Sequence, residues 1–460
     1  MKTKLLFVLF MISDFTGFTQ IIPIFHKGWE GYEWKEYQHR VDFRNHKFDS
    51  IVNFKNAHFD SKLRFFGAEF HSLANFENTQ FDSTANFEKA HFDSSAKFID
   101  AKFISSIIFD SAEFHSLANF KFAQFDSTAD FLHAQFDSTA DFYVTKFNSV
   151  ALFGFIKFHS SANFNRSIFN STFFGGTKFN SNANFDLATF LSNVDFGGAE
   201  FDSIASFRYV LVKDSIVFDY NTLPLYLDLS GIQLKGGDLD LTNSIINKKY
   251  GKCLINLVNA DIEKIKLRYS TFELYFPDKE NINSDIKTNT YERLLKNQKD
   301  NGFTSSYEKL DKEYAAFKYL KSGKYSSLGG WTLNMVNKYW WGYGYDKTLI
   351  IVNTLLIFVL FSLVNCIFFP WILNIYEVPN IKSLAAAVTA KNVVLQRIKI
   401  VPIAFFYTGL IFFGLKFSTE NLKYKENLMG WRVFNLVYFF VIYISGLVCL
   451  GYLANFILST

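Results

Sequence analysis

Residues 118–128 read Ala-Asn-Phe-Lys-Phe-Ala-Gln-Phe-Asp-Ser-Thr, and this 11-residue unit decides the fold. Its lattice phenylalanines, Phe120 and Phe125, are five residues apart, and the next one follows six residues later. The alternation of five and six residues continues across residues 43–207. One six-residue step is shortened to five, directly after Phe169, which predicts a single register slip.

Each lattice phenylalanine ends a three-residue pattern of a small residue, a polar residue and phenylalanine, as in residues 85–87. This alternation predicts a very short strand whose small residue and phenylalanine point inward. Such a short unit cannot bury its phenylalanine alone, whereas stacked copies can. The sequence therefore predicts an all-β repeat solenoid. If four short strands form one coil, two units give about 22 residues per coil, and the coils stack ~4.8 Å apart.

The unit resembles that of the pentapeptide-repeat family: a small residue, Asp or Asn, Leu or Phe, and two variable residues. Residues 85–89 (Ala-Asn-Phe-Glu-Lys) and 129–133 (Ala-Asp-Phe-Leu-His) match this unit. The resemblance implies a quadrilateral right-handed β-helix over residues 43–207. A sixth residue in every second unit, after the Phe-Asp-Ser turns, predicts wider corners on two of the four sides. Leucine and isoleucine replace phenylalanine in residues 208–277, which predicts irregular terminal coils and a cap.

One edge of the predicted coil combines histidine and aspartate. Positions 22 residues apart stack on the same edge, and there the sequence alternates His71, Asp93, His115, Asp137 and His159. Solvated turn residues that pair with their stacked neighbours are the preferred interpretation of this polar ladder. A proton-sensitive ladder or a weak metal site is the functional alternative.

The composition excludes several functional classes. With 47 Lys+Arg against 43 Asp+Glu, the net charge of +4 gives no support for nucleic-acid binding. The three cysteines, Cys253, Cys366 and Cys449, lie far apart and match no zinc or disulfide spacing. No nucleophile–base set, phosphate loop or cofactor motif stands out. We therefore expect no enzyme, no catalytic residue, no cofactor and no dedicated metal site.

The N-terminus is typical of a secretory signal. Lys2 and Lys4 precede the apolar run 5–12 and a polar stretch that ends at Gln20. We predict a signal peptide at residues 1–20, followed by an N-terminal cap of the solenoid at 21–42. An N-terminal helix packed on the repeats is the alternative. A signal peptide would place the repeats outside the cytoplasm, in the periplasm if the source is a Gram-negative bacterium.

Residues 278–347 change character and predict a helical connector. Two helical patterns flank the turn at Asn301-Gly302. We expect an antiparallel helix pair that either covers the open end of the solenoid or packs near the membrane.

The C-terminal part predicts a membrane domain. Residues 348–376 and 433–458 are uncharged and long enough to be transmembrane helices. The apolar run 400–415 is shorter and forms either a tilted third span or a re-entrant helix. Re-entry would put the four cations of segment 377–399 and the four of segment 416–432 on one side, the cytoplasmic side by the positive-inside rule. Re-entry is therefore favoured.

The order of span, short helix and span resembles a two-span, pore-loop potassium-channel subunit. The candidate pore-lining residues are Ser418, Thr419 and Glu420, but no Gly-Tyr-Gly filter is present there, so the resemblance implies a degenerate filter. An anchor or oligomerisation domain is the simpler interpretation.

These patterns predict a non-enzymatic, membrane-anchored scaffold or protein-binding module outside the cytoplasm. Its expected partners are the lipid bilayer, further copies of itself in a homo-oligomer and an unidentified protein on the repeat surface. The alternative is an ion-channel or sensor subunit whose repeat rod gates the membrane domain.

Overall fold

The computed structural model describes residues 41–277, 283–321, 328–372, 393–415 and 429–458. The chain divides into two compact units, Met1–Asp311 and Lys312–Thr460. The predicted signal peptide and residues 21–40 of the predicted N-terminal cap lie outside the described residues.

Residues 41–277 form a parallel β-solenoid of about 11 turns, as the repeat pattern predicts. Each coil gives one short strand to each of four faces. Strands of successive coils pair in parallel with an offset of 22 residues, so that Val41 lies opposite Leu63 and His91 lies opposite Glu113.

The four faces have the following strands. Face 1 contains Val41–Asp42, Leu63–Arg64, Ala85–Asn86, Ile107–Ile108, Ala129–Asp130, Val194–Asp195 and Ile216–Val217. Face 2 contains Lys47–Phe48, Glu69–Phe70, His91–Phe92, Glu113–Phe114, Gln135–Phe136, Lys157–Phe158, Lys178–Phe179, Glu200–Phe201, Thr222–Leu223 and Ile245–Ile246. Face 3 contains Val52–Asn53, Ala74–Asn75, Ala96–Lys97, Ala118–Asn119, Ala140–Asp141, Ala162–Asn163, Ala183–Asn184, Ile204–Ser206, Tyr226–Asp228, Cys253–Asn256 and Phe272–Leu274. Face 4 contains His58–Phe59, Gln80–Phe81, Lys102–Phe103, Gln124–Phe125, Thr189–Phe190, Leu211–Val212 and Gln233–Leu234.

Two longer strands, Lys146–Leu152 and Ile168–Phe173, run around the corner from face 4 to face 1. Their pairing shifts register between Phe147 and Val150, and the next coil is offset by 21 residues. The shortened step after Phe169 therefore lies at the corner where a continuous strand replaces the turn between face 4 and face 1. Beyond these coils, a two-stranded sheet pairs Leu239–Asp240 with Ile265–Lys266.

The lattice phenylalanines fill the interior in four stacked columns. Rings one coil apart lie nearly parallel, with centroids 4.7 Å apart for Phe92 and Phe114. Rings of different columns meet edge to face, as Phe87 and Phe98 do at 5.7 Å and 89°. Offset stacked and edge-to-face pairs are the favourable aromatic geometries. The repeat therefore builds a continuous aromatic core with alanine in the remaining space.

Two kinds of corner alternate around the coil. In the five-residue step, the N–H of Ala57 donates to the carbonyl of Phe54 at 3.0 Å, and Asn56 between them has a φ of 60°. Asn53 Oδ1 accepts from the N–H of Lys55 at 3.1 Å, which is the reason for Asn or Asp before the phenylalanine. The six-residue step adds a Phe-Asp-Ser bend, so two of the four corners are wider.

Helix α1 (Ser284–Asp300) lies on the last coil, and α2 (Thr304–Lys321) follows a turn in which Gly302 has a φ of 71°. Asn297 Nδ2 donates to the carbonyls of Ile262 and Ile265 at 2.9 and 3.1 Å. Gln298 Nε2 donates to the carbonyl of Leu267 at 3.1 Å. Helix α1 thus satisfies backbone groups that the last coil would otherwise leave open.

The second unit contains the helices α3 (Leu328–Trp340), α4 (Lys347–Ile372), α5 (Val393–Phe412) and α6 (Met429–Leu458). Two stretches in α4 and α6, Lys347–Phe368 and Val437–Asn455, are long and apolar enough to cross a membrane. The apolar part of α5, Ile400–Phe412, is shorter.

Helix α5 packs between α4 and α6 and ends beside the middle of both. The Phe412 ring lies 5.9 Å from Phe358, midway along the apolar stretch of α4. The carbonyl of Phe412 lies so close to Gly446, midway along the apolar stretch of α6, that a Cβ at this position would clash with it. Gly446 is therefore required for this close approach.

A buried polar cluster joins the same three helices. Asn365 Nδ2 donates to Thr408 Oγ1 at 2.7 Å, and the Tyr438 hydroxyl donates to Asn365 Oδ1 at 2.8 Å. Each of α4, α5 and α6 contributes one of these side chains, so the cluster fixes the register of the bundle.

Candidate functional site

The 22-residue register aligns the outward side chains of face 2 in two adjacent columns. The strand column stands directly before the buried phenylalanines and consists of Lys47, Glu69, His91, Glu113, Gln135, Lys157, Lys178 and Glu200. The corner column stands directly after them and consists of Asp49, His71, Asp93, His115, Asp137, His159, Asn180 and Asp202. We call both columns together, over residues 47–159, the histidine–carboxylate ridge.

The corner column is held in place by the backbone of the preceding coil. The N–H of His71 donates to the carbonyl of Phe48 at 3.0 Å, and the N–H of His115 donates to that of Phe92 at 2.9 Å. Side chains at these positions therefore stack at the spacing of the coils.

The structure divides the predicted ladder into hydrogen-bonded pairs. His71 Nδ1 donates to Asp93 Oδ2 at 2.6 Å, and His115 Nδ1 donates to Asp137 Oδ2 at 2.6 Å. His159 is less tightly placed, because its Nε2 lies 3.9 Å from Asp137 Oδ1. All five predicted residues lie on one edge, but the tight contacts join only four of them, in two pairs, and do not include His159.

The strand column adds three ionisable residues that the sequence reasoning missed. Glu69 Oε2 lies 3.4 Å from His71 Nε2. Glu113 Oε2 lies 3.3 Å from His91 Nδ1 and 3.5 Å from His115 Nε2. The signal was present, because Glu69, His91 and Glu113 have the same 22-residue spacing two positions before the ladder.

The pairs shift the proton affinities of the ridge. The hydrogen bond to Asp93 raises the pKa of His71, and the hydrogen bond to Asp137 raises the pKa of His115. The hydrogen bond from Lys47 lowers the pKa of Glu69. The two histidine–aspartate pairs are therefore charge-assisted contacts that favour the protonated imidazoles of His71 and His115.

A second group of possible ligands lies on face 4. His58 Nε2 lies 3.0 Å from Asp60 Oδ1 and 2.7 Å from Asp82 Oδ2. Gln80 Nε2 also donates to Asp82 Oδ1 at 2.7 Å, so this acid already has an amide donor. The hydrogen bond from Gln80 contributes most to lowering the pKa of Asp82.

Apolar side chains project from the narrow corner between faces 3 and 4. Phe122, Leu187 and Tyr209 are 47%, 43% and 58% exposed. Each has a φ near 60°, where Asn or Gly is normally favoured. Asn56 and Asn78 occupy the same corner in earlier coils with the same backbone conformation. We call Phe122, Leu187 and Tyr209 the apolar corner.

The predicted pore-lining residues, Ser418, Thr419 and Glu420, lie outside the described residues. The described chain reaches Leu415, directly after the end of α5. The polar cluster of Asn365, Thr408 and Tyr438 was not predicted from the sequence, because such residues inside apolar runs give no spacing signal.

Comparison with known proteins identifies the early coils. Residues 54–102 match the family model described as "Pentapeptide repeats (9 copies)". A search of curated proteins found no match. A search of solved structures found no match either. The family match and the four-sided parallel coil agree: residues 54–102 are similar to pentapeptide repeats and lie within a parallel β-solenoid of about 11 turns.

Proposed function

We propose that the protein is a non-enzymatic scaffold anchored in a membrane, with its solenoid outside the cytoplasm as a protein-binding module. The observation that carries this proposal is the apolar corner. Aromatic side chains such as those of Phe122 and Tyr209 are enriched in the centres of protein interfaces. Here they stand at positions where their backbone conformation is unfavourable by roughly 1 kcal/mol each.

The solenoid supports the proposal through its rigidity. A partner that docks on stacked coils meets side chains whose positions are already ordered, which reduces the entropy lost on binding. The two apolar stretches in α4 and α6 have the length of membrane spans and would supply the anchor. Placement outside the cytoplasm rests on the signal-like N-terminus and on the cations between the apolar helices.

The test replaces two side chains of the apolar corner by asparagine, the residue that occupies the same corner in earlier coils. Phe122→Asn and Tyr209→Asn adopt the conformation of Asn56 and Asn78, so they should preserve the fold. The full chain and the double variant are purified from native membranes in mild detergent, and co-purifying proteins are identified by mass spectrometry. Lys89→Asn, at the opposite narrow corner with a φ of 56°, is the matched control.

We expect one defined protein to co-purify with the full chain and with Lys89→Asn. The same protein should be lost from the double variant. A protein retained equally by all three chains would remove the apolar corner as the binding surface. If none of the chains retains a protein, even after crosslinking in the membrane, the scaffold proposal fails.

A second candidate function is a pore-forming subunit, and the position of α5 favours it. The end of α5 lies beside the midpoints of both apolar stretches, at Phe358 and Gly446. A helix that stops at mid-depth and is followed by a polar segment has the course of a re-entrant pore loop. Ser418, Thr419 and Glu420 belong to that following segment.

Oligomeric state distinguishes this second function most simply. A two-span pore requires several subunits, so a monomer in mild detergent would exclude it. For an oligomer, ion flux in liposomes should change its selectivity when Glu420 is replaced by alanine. A conducting oligomer whose selectivity is unaffected would remove Glu420 from the pore lining.

A further inference from the structure

We infer that His91, Glu113 and His115 form a binding site for a divalent transition-metal ion of the zinc class. One donor atom from each lies within 4.8 Å of the other two. Imidazole nitrogen and carboxylate oxygen are ligands that zinc accepts, and three protein ligands leave a fourth position for water or another group. This inference is independent of the proposed function.

The distances fit an ion between the three side chains. Ligands about 2.0–2.1 Å from a tetrahedral ion are about 3.3–3.4 Å apart. Glu113 Oε2 lies 3.3 Å from His91 Nδ1 and 3.5 Å from His115 Nε2. Two of the three ligand separations therefore already agree with tetrahedral coordination, and a small rotation of the half-exposed His91 ring can adjust the third.

Asp137 orients His115 for this role. Because a carboxylate only accepts, the 2.6 Å contact requires the proton of His115 on Nδ1. The Nε2 lone pair then points toward Glu113 Oε2, so a cation is needed between these two acceptors. A second proton on the imidazole can supply that charge, and a metal ion replaces it with release of the proton. A carboxylate on the far nitrogen of a ligating histidine is a recurrent feature of zinc sites.

The chain contains an internal comparison, displaced by two coils. Glu69, His71 and Asp93 repeat the arrangement of Glu113, His115 and Asp137, with the same 2.6 Å contact between histidine and aspartate. There, however, Lys47 stands where the second set has His91.

In the first set, the positive charge beside the glutamate comes from the Lys47 ammonium, because its Nζ lies 2.7 Å from Glu69 Oε2. The second set replaces this fixed positive charge by a third metal ligand, His91. The first set is therefore a built-in control that should not bind metal.

The test measures Co²⁺ and Zn²⁺ binding to the full chain in detergent, by visible Co²⁺ absorption and by calorimetry. His91→Lys copies the first set and should remove one bound ion per chain. Asp137→Asn should lower the affinity for that ion about 10- to 100-fold. His71→Ala and His58→Ala should leave it in place, which separates it from the rest of the ridge and from the group on face 4.

The reciprocal variant, Lys47→His, should add one bound ion per chain, because it completes a second set of three ligands. Melting curves without metal control for folding in every variant. Binding that survives His91→Lys, or that is lost equally in His71→Ala, would overturn the inference. An unsubstituted chain that binds neither ion at micromolar concentration would overturn it as well.

Discussion

The stacked core makes a sharp prediction for Phe120 and Phe122, two residues apart in one coil. Phe120 is fully buried, whereas Phe122 is 47% exposed at a narrow corner. The Phe120 ring stacks at 4.8 Å on Phe98 below and on Phe142 above. It also meets Phe131 edge to face at 5.4 Å.

Phe120→Ala should destabilise the solenoid by about 3–5 kcal/mol, near the upper end for such substitutions. The neighbouring rings are held apart by the strand pairing of three successive coils, so they cannot close the cavity. Phe122→Ala removes a half-exposed side chain whose ring meets only the corner residue Tyr143, at 5.7 Å, among the described ring contacts. It should change stability by about 1 kcal/mol or less.

The local stability of both variants is measured in the full chain by amide hydrogen exchange followed by mass spectrometry. Since 1.4 kcal/mol is a factor of ten, amides in the coils beside Phe120 should exchange roughly 100- to 3,000-fold faster in Phe120→Ala. The effect should decrease with distance along the solenoid, because each coil contacts only its neighbours. Equal acceleration in Phe120→Ala and Phe122→Ala, or none in either, would refute the stacked core.

Three further predictions concern the ridge and the C-terminal helical unit. Asp93→Asn should lower the pKa of His71 in an NMR titration, because Asp93 is the main cause of its increase; an unchanged pKa would show that the pair is not formed. Since the pKa of His71 is raised in the folded state, this contact stabilises most below its unfolded value of about 6.5 and is lost as pH rises through the folded value. Gly446→Ala should displace α5 and lower the thermal stability of the C-terminal helical unit, because its Cβ would meet the carbonyl of Phe412. The Cβ of Gly451→Ala meets nothing within 4 Å, so equal melting temperatures of the two variants would contradict the packing. Asn365→Leu should destabilise the three-helix bundle by about 1–2 kcal/mol, because the Tyr438 hydroxyl loses its acceptor and the Thr408 hydroxyl loses its amide donor. The Thr408 hydroxyl keeps its bond to the carbonyl of Ala404. Unchanged unfolding in detergent would argue against the polar cluster.

The lattice of phenylalanines was sufficient to predict the solenoid, because burial of Phe at steps of five and six residues permits few alternatives. The same register predicted that His71, Asp93 and His115 share one edge. Their pairing could not be predicted, since it depends on side-chain rotamers and on the strand column beside them. The alternation of His and Asp is visible only in the corner column, so His91 and Glu113 in the strand column were not predicted.

The C-terminal helical unit was harder to predict from sequence. Hydropathy identifies apolar length but not the depth at which a short helix ends, so 400–415 stayed ambiguous between a span and a re-entrant helix. The close approach of Phe412 to Gly446 depends on one missing Cβ, which becomes informative only when the facing residue is known. The sequence of the connector was compatible with a helix pair at the open end of the solenoid or near the membrane. The contacts of Asn297 and Gln298 place α1 on the last coil.

We propose above that the solenoid binds a protein outside the cytoplasm through its apolar corner. The most direct test is crosslinking of Leu187→Cys in intact cells with a membrane-impermeant, thiol-reactive photocrosslinker. Asp100→Cys, in an earlier coil of the same corner, is the control, and the unsubstituted chain controls for Cys253, Cys366 and Cys449. We expect a crosslinked species that contains a second protein from Leu187→Cys alone. No labelling in intact cells, or labelling without any crosslinked partner, would contradict it.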